Sequence, residues 1–372
     1  MPEGRTRAIV RKLGGTPAPV VSGDADSTLP GSGNTASAIG KRFHGDGKGR
    51  RRDRLEELSP ALQLIVDASQ SPSSLSLPAD DPGGRGSLWR QTLLSFRLNK
   101  AAMAGLFVVV FMILFCFVGP IFYHPNEMNA QLALQSNPTG FAAAPNSGHL
   151  LGLDPNGFDE LGRLMVGGQN SLEIGFAAAL AAVVLGVGWG AIAGFFGGWI
   201  DSLMMRIVDT LLSIPTLLLL IVLAVIYRPS VLLLILILAG GAWLVPARLI
   251  RGETLTLRTR EYVQAVRMMG GGARRMILRH IVPNAIGTTV VNLTFQIADT
   301  ILYLAALGFL GLGVQPPETD WGSMLSSGVN YATSDYWWLI YPAGAAIVLV
   351  VVAFNFVGDG LRDALEVRLQ RR

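Results

Sequence analysis

The chain has 372 residues, 50% of them hydrophobic and 15% charged, and a net charge of +4. Soluble globular chains carry about 25% charged residues, so an ordinary soluble fold is excluded for most of the length. A single cysteine, Cys116, excludes an intramolecular disulfide framework, and His44, His124, His149 and His280 are scattered without metal-ligand spacing.

Residues 1–86 are rich in Gly, Pro, Ser, Asp and Arg and poor in aromatics, which predicts a disordered extension. No apolar run follows its first charges, so it does not read as a cleavable signal peptide. Within it, Leu55, Leu58, Leu62, Ile65 and Val66 predict a short amphipathic helix over Arg54–Ser69. The basic run Lys48–Arg54 reads either as a contact with anionic lipid or as a solvated tail. Residues 87–123 are expected to hold an interfacial helix and the first span. Trp89, Leu93, Leu94 and Phe96 form the apolar side of that helix, with Arg90, Arg97 and Lys100 toward headgroups.

Long uncharged runs follow. They are Ala101–Phe122, Ile174–Ile200, Thr210–Tyr227, Pro229–Ala247, Ala285–Phe309 (interrupted by Asp299) and Trp337–Gly358. A helix needs about 20 residues to cross the hydrocarbon core, so an all-α membrane protein with six transmembrane helices is predicted. Residues 124–170 are expected to form an external loop, 171–365 a five-helix core and 366–372 a tail. The glycines from Gly186 to Gly198 in the second run suit close helix packing.

Lysine and arginine placement sets the orientation. Of the 30, 28 fall on one side of the spans and only Arg163 and Arg228 on the other. Both termini are therefore expected in the cytoplasm. The sequence pI of about 9.4 follows from this bias and gives no sign of nucleic-acid binding, because no recognition motif accompanies it.

The segment 251–284 is a polar, arginine-rich insert between two spans. Tyr262, Ala265, Val266 and Met269 recur at helical spacing. Gly270, Gly271 and Gly272 break that helix, Ala273, Ile277 and Ile281 begin a second stripe, and Pro283 marks the next span. The pattern predicts a cytoplasmic helical hairpin that something outside the chain grips. The arginine count alone has a simpler reading, the general positive bias of cytoplasmic loops. In the fifth span Asn292, Gln296, Asp299 and Tyr303 form one polar face, which reads either as a lining of the translocation path or as helix–helix hydrogen bonding. Asp209, four residues before Ser213, is expected near the cytoplasmic edge in a structural role. No Gly-x-x-x-x-Gly-Lys-Ser/Thr loop is present, so any ATP used must bind another chain.

Four stretches resemble the permease subunits of the dipeptide, oligopeptide and nickel class of ABC importers. They are Gln264-Ala265-Val266 with Gly270 and Pro283, ending in Arg279-His280-Ile281-Val282-Pro283-Asn284; Leu307–Leu325; Asn355–Leu365; and Asp209–Leu217. Gln264 stands where the motif has glutamate, with Glu261 one turn earlier, and Val266 where it has a second alanine. The external segment His149–Asp154, then Gly162-Arg163-Leu164, also departs from the family pattern.

The resemblance implies a type I ABC importer permease in a bacterial inner membrane. It implies a second homologous permease, two ATPase subunits carrying ATP and Mg, and an extracytoplasmic substrate-binding protein. It also implies that Glu261, Tyr262, Gln264, Ala265, Val266, Gly270 and Pro283 belong to the ATPase-coupling hairpin. The permease itself is expected to hold no cofactor and to do no covalent chemistry. Peptides, nickel complexes and glutathione-like compounds all remain as cargo. An ion-coupled secondary transporter is a second function class, thinly supported by Asp299. A membrane scaffold worked by its N-terminal region is a third.

Overall fold

The computed structural model describes residues 93–123, 142–227, 230–331, 333 and 335–370. The predicted extension 1–86, with its helix at 54–69, lies outside the described residues. Chain contacts divide at Asp80, and the described residues all belong to the second unit, Asp81–Arg372.

Of the predicted interfacial helix, residues 93–98 are described and helical, with Phe96 buried and Leu93 and Leu94 exposed. Asn99 then caps α1 (Lys100–Phe117) by accepting from the N–H groups of Ala101 and Ala102. The short α2 (Gly119–Phe122) completes this first span.

The second helix, α3, runs over Glu160–Phe196 and starts well before the uncharged run at Ile174. At 37 residues it is about 55 Å long, more than the roughly 30 Å of hydrocarbon it must cross. Charge at Glu160 and Arg163 hides this extension in the sequence, because it reads as loop. Asp159 starts the helix. One carboxylate oxygen accepts from the Gly162 N–H at 2.8 Å, and the other meets Tyr123 Oη at 3.0 Å and His149 Nδ1 at 2.8 Å. Residues 160–170, expected within a loop, are therefore helical, and residues 124–141 of that expected loop lie outside the described residues.

Gly197 and Gly198, at φ 66° and 58°, turn the chain from α3 into α4 (Gly198–Leu212), a backbone path that favours glycine. Next come α5 (Thr216–Tyr227), α6 (Val231–Ala242) and α7 (Leu244–Leu257). The third and fourth runs are not straight. The axis bends by 80° between α4 and α5 and by 46° between α6 and α7. Pro215 and Pro246 supply the cause, since each lacks an N–H and clashes with the preceding turn. At 12 residues each, α5 and α6 extend about 18 Å and need their bent partners to span.

The hairpin follows as α8 (Glu261–Met268), α9 (Ala273–Met276), a π-helical turn at Ile277–Ile281 and α10 (Val282–Asn284). The last elements are α11 (Ile286–Phe309), α12 (Trp321–Val329) and α13 (Tyr341–Gln370). Among the described residues four helices are long and apolar enough to cross a membrane, and six spans result when each bent pair counts as one. No strand occurs among the described residues, so the all-α, six-span membrane architecture stands.

Packing centres on α3. One buried cluster joins Met112 and Cys116 of α1, Leu172 and Ala179 of α3, Ile301 of α11, Trp321 of α12 and Val350 of α13. A second joins Ile174 of α3 with Leu220, Leu234 and Leu304. Gly358 lets α13 approach Phe295 and Thr294 of α11, and Gly360 admits Phe96 and Ala102, which accounts for the small residues near the C-terminus.

Candidate functional site

The hairpin is rooted at both ends against the bundle. Ala191 of α3, Ile250 and Leu257 of α7, Ile281 and Ala285 form one buried cluster, with Ile277 and Val282 packed on it. On α8 only Val263 is buried, at 2% exposure. The predicted stripe of Tyr262, Ala265, Val266 and Met269 faces the other way. Tyr262, Ala265 and Met269 are exposed, Val266 is half-buried, and Met268 joins the exposed set at 84%. The helix therefore turns one apolar residue inward and offers several outward.

Local chemistry fixes the tip. Glu261 in the first turn and Arg267 in the last complement the helix dipole. The Gly271 N–H donates to Val266 O at 2.9 Å and the Gly270 N–H to Arg267 O at 3.0 Å, the paired bonds of a Schellman stop. Gly270 takes φ 79° there, and a Cβ added to it would meet nothing within 4 Å. Gln264 Nε2 donates to Thr259 O at 3.0 Å, closing the turn between α7 and α8. An ionised glutamate has no hydrogen to donate, so the amide at this position has a use that the motif carboxylate could not serve. Pro283 sits in α10, directly after the π-helical turn, and its missing N–H is the physical reason the regular ladder breaks there.

The eight arginines between Arg248 and Arg279 separate into two sets. Arg248 pairs with Asp209 at 2.6 Å, Arg251 with Asp201 at 2.6 Å, and Arg258 Nη1 donates to Gly194 O at 2.9 Å. Arg260, Arg267, Arg274, Arg275 and Arg279 are exposed along the hairpin. The ion pair gives Asp209 its partner, although both side chains are 56% exposed and solvent weakens such a pair.

On α11 the four polar residues differ in setting. Gln296 is buried, Asn292 and Tyr303 are half-buried, and Asp299 is exposed on the outside of this chain. Asn292 Oδ1 is buried with no hydrogen-bond partner. The intervening Thr300, not singled out by its pattern, donates to Gly175 O at 2.8 Å and ties α11 to α3.

The segment after α11 is also held to α3. Trp321, fully buried, donates from Nε1 to Leu164 O at 2.9 Å, and Asn170 Nδ2 donates to Thr319 O at 2.8 Å. Asp320 caps α12 and accepts from the N–H groups of Ser323 and Val314, both at 3.0 Å. Burial raises its carboxyl pKa above the usual value against the lowering effect of those donors. Among the described residues no group of three or more His, Cys, Asp or Glu side chains can hold a metal ion.

Residues 186–371, which include the hairpin and the polar face, match the family described as binding-protein-dependent transport system inner membrane component. The chain belongs to this family. Residues 87–139 of the permease also match the N-terminal transmembrane domain of oligopeptide transport permease C. The permease is 39% identical over 285 residues to the oligopeptide transport system permease protein OppC of Bacillus subtilis, covering 77% of this chain and 91% of that protein. It is 35% identical over 300 residues to the dipeptide transport system permease protein DppC of Alkalihalophilus pseudofirmus, covering 81% and 96%. The Escherichia coli K12 OppC is 39% identical over 280 residues, covering 75% and 91%. The expected membership of the dipeptide and oligopeptide class of ABC importer permeases holds for this permease.

Proposed function

We propose that this permease forms half of the translocation pathway of an ATP-driven importer of peptides. It pairs with a second, homologous permease. Two ATPase subunits on the cytoplasmic side bind ATP and Mg, and an extracytoplasmic binding protein delivers cargo. The permease lies in a bacterial inner membrane with both termini in the cytoplasm, an orientation that its lysine and arginine bias supports. The chain does no covalent chemistry.

One observation carries this reading. The hairpin turns Tyr262, Ala265, Met268 and Met269 away from its own chain and carries five exposed arginines besides. Exposed apolar side chains on an element that also carries exposed arginines are what a protein partner covers. Glu261, Gln264, Val266, Gly270 and Pro283 shape that element, and the ATPases displace it as a lever. Peptide cargo is supported by the oligopeptide and dipeptide names of the relatives. Nickel or glutathione-like cargo is the alternative within the same class.

Asn292, Asp299 and Tyr303 contribute to the pathway wall, with Gln296 buried behind them. Asp299, exposed on this chain, faces the water-filled space between the paired permeases, where an ionisable group is tolerated. Uptake of radiolabelled trialanine in cells lacking the chain, re-expressing it or its variants, tests this reading. Uptake is expected to return with the native chain and to persist when ion gradients are collapsed while ATP is held. Asp299→Ala and Gln296→Leu are each expected to lower it about tenfold at unchanged membrane level, roughly 1.4 kcal/mol of barrier. Uptake that follows an ion gradient instead supports a secondary transporter. Normal uptake in both variants removes these residues from the pathway.

A further inference from the structure

Asp201 lies in the first turn of α4 and Arg251 near the middle of α7. Arg251 Nε donates to one oxygen of Asp201 at 2.6 Å and Nη2 to the other at 2.7 Å. Such a fork fixes orientation as well as distance. The pair is more sheltered than the Asp209–Arg248 bridge, its side chains being 33% (Arg251) and 12% (Asp201) exposed against 56% for both of the other pair.

The same arginine touches α3 through its backbone. A Cβ on Gly190 would lie 2.8 Å from Arg251 N, and one on Gly194 would lie 2.9 Å from Arg251 O. Arg251 thus has its main chain against α3 and its side chain on α4. Trp189 Nε1 of α3 donates to Met204 O of α4 at 3.2 Å. Ala193, Met205, Val208, Leu244 and Ala247 join all three helices in one buried cluster. Apolar burial is non-directional and sets no orientation by itself. A two-point ionic fork adds a fixed direction to that packing.

We propose that Asp201 and Arg251 are positioning residues that make α3, α4 and α7 move as one body. Because α7 leads directly into the hairpin, displacement of the hairpin then reaches the sharp bend between α4 and α5 without loss. This inference rests on the docking reading above, yet neither residue lies at the docking tip.

The test uses the full transporter in membrane vesicles, with trialanine as cargo, and measures peptide accumulated per ATP hydrolysed. Asp201→Asn keeps the side-chain size and removes the charge. It is expected to assemble with the ATPases and to lower the ratio about tenfold, the scale of one charge-assisted bidentate contact. The reversed pair, Asp201→Arg with Arg251→Asp, is expected to recover most of the ratio. If Asp201→Asn does not accumulate, Arg251→Lys replaces it, keeping the charge and losing the fork, with the same fall expected. An unchanged ratio in the single variants, or no recovery in the reversed pair, overturns the proposal. Failure of the native hairpin to cross-link to an ATPase subunit would instead count against the docking reading. Intact cross-linking with an unchanged ratio sinks the positioning role alone.

Discussion

Gly270→Trp is expected to leave the permease in the membrane at near-normal level while uptake falls about a hundredfold, the effect of losing a central interface contact. Two quantities decide this. Gly270 adopts φ 79°, so any side chain there costs roughly 1–2 kcal/mol of backbone strain. A Cβ would meet nothing within 4 Å, so no clash inside the chain is added to that cost. The strain falls on an exposed stop between two short helices, which is itself no part of the buried clusters. The bulk of the indole, however, projects beside Met268 and Met269, the most exposed apolar side chains of the hairpin. It should hold a partner surface off. ATP hydrolysis by the partner subunits is then expected to continue without cargo movement. Vesicle uptake and phosphate release measured together check it. Gly270→Ala separates the two costs, since it carries the strain without the bulk.

Gly190→Val is expected to have the largest effect on folding. A Cβ there would stand 2.8 Å from Arg251 N, with further backbone of α7 closer still. Backbone in the centre of a packed helix cannot swing aside as a flexible side chain can. Overpacking of this kind costs about 1–3 kcal/mol and sometimes more, a large share of the roughly 5–15 kcal/mol that separates folded from unfolded protein. Gly188→Val is the control. It lies two residues away on the same helix, with nothing within 4 Å of its added Cβ, and should stay within about 0.5 kcal/mol of the native chain. Fluorescence-detected size exclusion after graded heating reads the difference, with Gly190→Val aggregating at markedly lower temperature.

The sequence makes the spans legible because hydrophobic burial in lipid leaves long uncharged runs. The hairpin is legible because glycine and proline punctuate it. Two things are missed for different reasons. The outer turns of α3 carry Glu160 and Arg163 and so do not look like membrane helix, although Asp159 is a cap that could have announced them. On α8 the inward residue is Val263, one step round from the predicted stripe. A short helix with apolar residues on two faces does not say which face is free. Pro215 and Pro246 do signal the bends, but their angles depend on packing that no local pattern records. The Asp201–Arg251 fork joins residues separated by 50 positions, on helices brought together by glycines of a third, and periodicity cannot find it. Gln264 shows the reverse. It departs from the motif in sequence, and its amide makes a turn-closing bond that a carboxylate cannot.

The central claim is that this hairpin is the cytoplasmic contact through which separate ATPase subunits move the permease. Photo-crosslinking from position 268 in native membranes tests it most directly, because Met268 is the most outward apolar side chain of α8. The account expects one main adduct, with an ATPase subunit, whose yield changes when ATP and vanadate are added. Adducts with lipid alone, or labelling of position 268 by a membrane-impermeant reagent applied outside intact cells, would contradict it.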